Sequence, residues 1–166
     1  MLDDPFKYGL LIALAIALLF AAFTDLRSRK IANWLTAGIA LGAPLFWWAS
    51  GIALWPDLGI QIGLAVGAFT VLVGMFAMGW MGGGDVKLLG ALALWIAPWP
   101  FFKLVIMMGL IGGVLTILFA AWHIMRRQRD KLAIPYGVAI AVAALWTLST
   151  SYMPGTAAAG AVGAVG

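Results

Sequence analysis

The chain has 166 residues, of which 64% are hydrophobic and only 10% charged, with a mean hydropathy of +1.06. That is more apolar surface than a soluble interior can hide, so the composition excludes a water-soluble domain and points to a bilayer. The net charge of +4 does not imply nucleic acid, because the bases sit in short clusters between apolar runs without the interleaved aromatics of a strand-binding groove, and the absence of cysteine excludes disulfides, thiolate metal sites and a cysteine nucleophile.

A helix rises about 1.5 Å per residue and the hydrocarbon core is about 30 Å thick, so a crossing needs roughly twenty apolar residues. Six runs approach that length, at 8–24, 33–50, 57–78, 84–97, 101–125 and 133–152. The first follows Asp3 and Asp4 rather than a basic segment, and no small-residue cleavage site follows it, so it reads as a retained helix. A basic turn with Arg27, Arg29 and Lys30 leads to the second run. The third carries Gly59, Gly63, Gly67 and Gly74 at spacings suited to close helix packing. The fourth begins at a glycine cluster and stops before Pro98-Trp99-Pro100, which reads as a tight turn because proline lacks the donor that continues a helix. The fifth ends near His123, which is expected to be an interfacial side chain rather than a ligand, so no metal or other cofactor is expected. Thr24, Thr70 and Thr116 are expected to hydrogen-bond between helices. The sixth run precedes an Ala/Gly-rich tail, 154–166, that is either loosely ordered or a continuation of the last helix.

The fold class is therefore an all-α integral membrane protein of about six transmembrane helices, forming one domain over 1–153. Its orientation follows from the bases. Arg27, Arg29, Lys30, Lys87, Arg126, Arg127, Arg129 and Lys131 fall on one side, and only Lys7 and Lys103 on the other, which places both termini outside the cytoplasm. Trp47, Trp48, Trp55, Trp95 and Trp99 then lie near the outer turns, where amphipathic rings favour the headgroup level.

Glutamate is absent, so any acid chemistry belongs to Asp3, Asp4, Asp25, Asp57, Asp85 or Asp130. Asp3, Asp4, Asp57 and Asp130 read as solvated or locally paired. Asp25 closes a run that spans only about 25 Å at helical rise, and Asp85 precedes one of about 18 Å, so both are drawn to the inner membrane edge. An ionisable group at that depth is a functional candidate by default. Gly82, Gly83 and Gly84 are expected to supply unusual backbone there, with access to positive φ and room for a substrate chain. The plainer alternative is a turn with Asp85 as an N-cap. If two carboxylates share a small, partly desolvated site, the first charge opposes the second ionisation, so one stays protonated while the other ionises. The ionised member takes a proton from water while its partner donates to the scissile carbonyl oxygen, and neither metal nor covalent nucleophile is needed.

The segment Asp25-Leu26-Arg27-Ser28-Arg29-Lys30-Ile31-Ala32-Asn33 resembles the D-x-R-x-x-x-I-P-N segment of the type IV prepilin peptidases, which are membrane aspartic proteases of the GxGD kind. Gly82-Gly83-Gly84-Asp85-Val86-Lys87 is similar to their G-x-G-D-x-K motif. Ile134-Pro135-Tyr136-Gly137-Val138-Ala139-Ile140-Ala141 is similar to their proline and glycine entry to the final helix. The resemblance implies catalytic Asp25 and Asp85, six helices in a bacterial inner membrane, and removal of a prepilin or pseudopilin leader on the cytoplasmic side, just before the pilin's hydrophobic segment.

Two features depart from the pattern. Ala32 stands where the family has proline, and the chain has neither cysteine nor room for the cytoplasmic insert of the bifunctional members. The expectation is peptidase activity without N-methylation, as in the short form that serves Flp (Tad) pili. Around the acids, Gly82, Gly84, Lys87, Arg27 and Asn33 are candidate substrate-site or supporting residues. Each also has a plainer role. Lys87 can snorkel, Arg27 can set topology, and Asn33 can cap the second helix. The competing classes are a small proton-coupled transporter or channel using Asp25 and Asp85 as protonation sites, and a non-catalytic scaffold. The first predicts an internal repeat, which is not evident, and the second predicts dispensable acids.

Overall fold

The computed structural model describes residues 5–125 and 136–152, the side chains of His123 and Ile124 excepted. Six helices follow in order: α1 Pro5–Ser28, α2 Asn33–Ala49, α3 Gly59–Ala77, α4 Gly83–Trp95, α5 Pro98–Met125 and α6 Tyr136–Tyr152. A kinked turn, Leu54–Leu58, in which Trp55 is extended (φ −146°, ψ 132°), leads into α3, and no strand occurs among the described residues. Three stretches are long and apolar enough to cross a membrane, Pro5–Ser28, Leu54–Ala77 and Pro98–Trp122, while α6 is a shorter apolar helix. Asp3, Asp4, Asp130, the basic residues Arg126, Arg127, Arg129 and Lys131, and the 154–166 tail lie outside the described residues.

Much of the surface is apolar. Ile12, Ile16, Leu19, Val66, Leu110, Ile117 and Leu118 are exposed, as a lipid-facing wall requires. Hydrocarbon outside removes the hydrophobic drive between helices, so close packing and interhelical hydrogen bonds must hold them together. Small residues provide the close approach. Ala139, Ala141, Ala143 and Ala144 of α6 are buried, where α6 packs against α1 and α5. A Cβ at Gly42 would sit 2.8 Å from the Trp95 ring, and one at Gly90 would sit 2.7 Å from Phe69. Gly63, Gly67 and Gly74, in contrast, have nothing within 4 Å of a built Cβ and face outward from α3. The expectation that they pack helices together is therefore corrected within this chain. Thr24 and Thr70 likewise bond to carbonyls of their own helices, at Ala21 and Val66. Only Thr116 adds an interhelical partner, the Tyr136 hydroxyl at 3.3 Å.

The central element is α4. Its 13 residues rise about 20 Å, and seven of them are buried, from Val86 to Trp95. An end of helix inside apolar surroundings leaves carbonyls that water cannot reach, so the protein must bond them. The Gln61 amide donates to Ala93 and Ile96 carbonyls at 2.7 and 2.8 Å, and Trp47 Nε1 donates to the Leu94 carbonyl at 2.7 Å. The Ala97 N–H donates to the Tyr152 hydroxyl at 3.0 Å. Trp95 is itself buried, with its Nε1 donating to the Ile39 carbonyl at 2.7 Å, so it is a peg between α4 and α2 rather than a headgroup anchor. Trp48, Trp55 and Trp99 are exposed. The connection to α5 is only Ile96 and Ala97, and Pro98 and Pro100 occupy the first turn of α5, where the missing N–H has no intrahelical partner to lose.

These pairings also set the relative directions. Lys87 meets Asn33 and Leu94 meets Trp47, so α2 and α4 run parallel. Gly83 lies against Phe76, Gly90 against Phe69 and the end of α4 against Gln61, so α3 runs antiparallel to α4. The start of α2 and the start of α4 consequently share one end of the bundle.

Candidate active site

Asp25 does not begin a loop. The helix α1 continues through it to Ser28, and the Arg29 N–H closes the last turn on the Asp25 carbonyl at 2.8 Å. The turn expected directly after the run at 8–24 is therefore shortened to the residues after Ser28. Arginine and serine are compatible with a helix end, and the chain turns at Arg29, whose φ of +54° lies in the left-handed region that non-glycine residues seldom occupy. That turn carries Ile31 back toward α4.

The Asp25 side chain is buried, at 7% exposure. Its Oδ2 accepts from the Gly137 N–H at 2.8 Å, and the Val138 backbone also hydrogen-bonds the carboxylate. Both donors belong to the first turn of α6, whose N–H groups have no intrahelical acceptor and whose dipole favours an anion. A Cβ at Gly137 would lie 2.8 Å from Oδ2 and 2.9 Å from Cγ, so only glycine fits there. This residue is the clearest omission from the sequence-derived site. The motif that contains it was visible, but a backbone donor has no side-chain signature to mark it.

Asp85 is the third residue of α4, with Gly82 in the N-cap position. Its carboxylate turns back to the Gly82 backbone, as the acidic member of a capping box does. The expected N-cap is thus displaced by three residues, while the capping interaction is present. The glycines work differently from the expectation. Gly82 has φ of −72°, Gly83 and Gly84 are helical, and none of the three has positive φ. They permit contact instead. Added Cβ atoms would lie 2.9 Å from Asp85 Oδ2 at Gly82, 3.3 Å from the Phe76 ring at Gly83 and 3.3 Å from Ile31 Cβ at Gly84.

The Ile31–Gly84 contact draws the turn after α1 onto the start of α4. As a result, Asp25 and Asp85 line one cavity of about 450 Å³, within reach of each other's charge. Gly82, Gly84 and Asn33 line it as well, together with Arg29 and Lys30, which the motif reading left unassigned. Arg29 also lies within electrostatic reach of Asp25. Arg27 is exposed and does not line the cavity. Asn33 is the first residue of α2 and does not cap it. Its Oδ1 accepts from Lys87 Nζ at 2.9 Å, which joins two of the expected supporting residues across the mouth of the site. No cluster of metal-ligating side chains occurs among the described residues.

A bundle of apolar helices that brings two carboxylates to one cavity at its end defines a helical membrane protein with an acid-pair site. The family model described as the type IV leader peptidase family matches residues 12–121, and the chain belongs to that family, which is one of peptidases. The match includes both aspartates and stops short of α6. No curated protein and no solved structure matches the chain.

Proposed function

We propose that the protein is an aspartic endopeptidase that removes the leader peptide of Flp-type prepilins at the cytoplasmic boundary of the bacterial inner membrane, without methylating the new N-terminus. The observation that carries this reading is the shared cavity of Asp25 and Asp85 in a chain of the leader peptidase family. In the proposed topology all six helices cross the bilayer, the acid-bearing end faces the cytoplasm and both termini face away from it.

One carboxylate takes a proton from water, and the resulting oxygen nucleophile adds to the scissile carbonyl carbon. The partner carboxyl gives its proton to the carbonyl oxygen. Collapse of the tetrahedral diol breaks the C–N bond: the amine leaves with the proton that the first carboxylate had taken, and one diol hydroxyl returns its proton to the partner carboxylate as the new C=O forms. Water is added across the peptide bond and both carboxyls return to their starting forms. Gly82 and Gly84 let Asp85 and Ile31 come close and so form the cavity beside the acids, while Lys87 and Asn33 shape the approach of the substrate chain. The absence of cysteine and of a long cytoplasmic segment supports proteolysis alone.

Co-expression with a candidate Flp-type prepilin, followed by the size of the precursor and the mass of its new N-terminus, tests the reading. The wild type is expected to yield a shortened, unmethylated pilin, and Asp25→Asn and Asp85→Asn to leave the precursor intact. Wild-type processing by either stably inserted variant would contradict it.

A further inference from the structure

A second, larger cavity of about 660 Å³ opens between α2, α3 and α4. It adjoins the acid cavity: Asn33 lines both, and Lys87, two residues beyond Asp85, bonds to Asn33 where they meet. Its lining changes with distance from the acids. Asn33, Thr36, Thr70 and Lys87 are at the near end, and Ala40, Ala65 and Leu94 at the far end. Along α4 it runs from Lys87 to Leu94, which is about 10 Å or two helical turns. Its α2 and α4 walls are small, while Val66 and Phe69 form the α3 wall, with the Phe69 ring against Gly90. Ala37 and Ala40 of α2 face Gly90 and Ala91 of α4 across it, and side chains of that size let helix backbones come close.

We infer that this groove seats the apolar helix of the substrate, immediately after the peptide bond presented to Asp25 and Asp85. The inference rests on the peptidase reading. A chain that passes between the two acids and continues into the bilayer reaches Asn33 and Lys87 next, and then a trough along α2 and α4 that becomes apolar toward Ala40, Ala65 and Leu94. The Asn33–Lys87 bond marks the passage from the polar cavity to the apolar groove. Lys87 is left there to meet a carbonyl or carboxylate at the start of the substrate helix. A lipid chain or a second copy of the protein are the competing occupants, but neither requires the groove to adjoin the acid cavity.

Photo-crosslinking distinguishes the three. Benzoylphenylalanine is placed at Ala37 or Val66 in the groove, or at Leu118 on the exposed face of α5, each in an Asp85→Asn background with a precursor that the wild type cleaves. Adducts to the precursor from Ala37 and Val66 but not from Leu118 are expected. Equal adducts from all three positions, or adducts from the groove positions only to lipid or to a second copy, overturn the inference while leaving the peptidase reading intact. Failure of the wild type to cut any candidate precursor overturns both. In an otherwise active enzyme, Ala40→Leu is expected to raise KM about tenfold with a smaller change in kcat. An unchanged KM in a variant that melts like the wild type also contradicts the groove.

Discussion

Asp25 lies in the last turn of its own helix, and its carboxylate is held by backbone donors of α6, 112 positions away, whereas Asp85 lies in a first turn and folds back on the cap of its own helix. The two therefore depend on different levels of structure. An acid at a helix C-terminus faces the unfavourable end of that dipole, and Asp25 tolerates it because the N-terminus of α6 supplies the opposite end. Asp85 is at the favourable end of α4 and needs only local geometry. Placement of Asp25 thus reports the docking of α6 on α1, and placement of Asp85 reports the start of α4.

Breaking the acids themselves has the largest expected effect. Asp25→Asn and Asp85→Asn should each lower the processing rate by about 10²–10⁴-fold, as loss of a positioned acid or base does. Gly137→Ala comes next, and it separates the two regions. The new methyl group meets the Asp25 side chain from Oδ2 to Cβ at 2.8 to 3.0 Å and the donors cannot stay in place, so a loss of on the order of tenfold to a hundredfold is expected in a protein that still inserts. Gly82→Ala makes a similar approach of 2.9 Å, but only to the far end of the Asp85 side chain, which can swing. Its processing rate should fall less than that of Gly137→Ala, and equal losses would erase the distinction between a tertiary and a local hold.

At the opposite end of α4, Gln61→Leu removes both donors to the Ala93 and Ile96 carbonyls. It should cost about 1–3 kcal/mol, read as a lower melting temperature in detergent, because the stranded carbonyls are buried. Gly63→Ala, which meets nothing within 4 Å, should stay within about 0.5 kcal/mol of the wild type. A marked destabilisation there would restore the packing role that the α3 glycines were expected to have.

Much of this architecture is legible in the sequence. Run lengths give six helices with ends within a few residues, and the short fourth run correctly isolates α4 and its acid. The acids stand out because a carboxylate in an apolar chain has few ordinary roles. What sequence conceals is the partner that bears no label. The Gly137 N–H, the Ile31–Gly84 contact and the carbonyls bonded by Gln61 and Trp47 are backbone or shape features, invisible to residue type. Glycine spacing misled on α3 for a related reason, since a row of small residues permits close approach without saying which helix, if any, approaches. The end of α1 was misplaced because polar residues mark both a loop and a solvated last turn, and only the left-handed backbone at Arg29 fixes the stop.

The central claim is that Asp25 and Asp85 act as one unit, and a double-mutant comparison tests it most directly. Processing of one precursor is timed in the wild type, Asp25→Asn, Asp85→Asn and the double variant, with insertion of each verified. A shared site predicts that the double variant is no slower than the slower single variant, because either loss already abolishes the paired proton transfer. Losses that multiply in the double variant, or a single variant that processes at the wild-type rate, would contradict it.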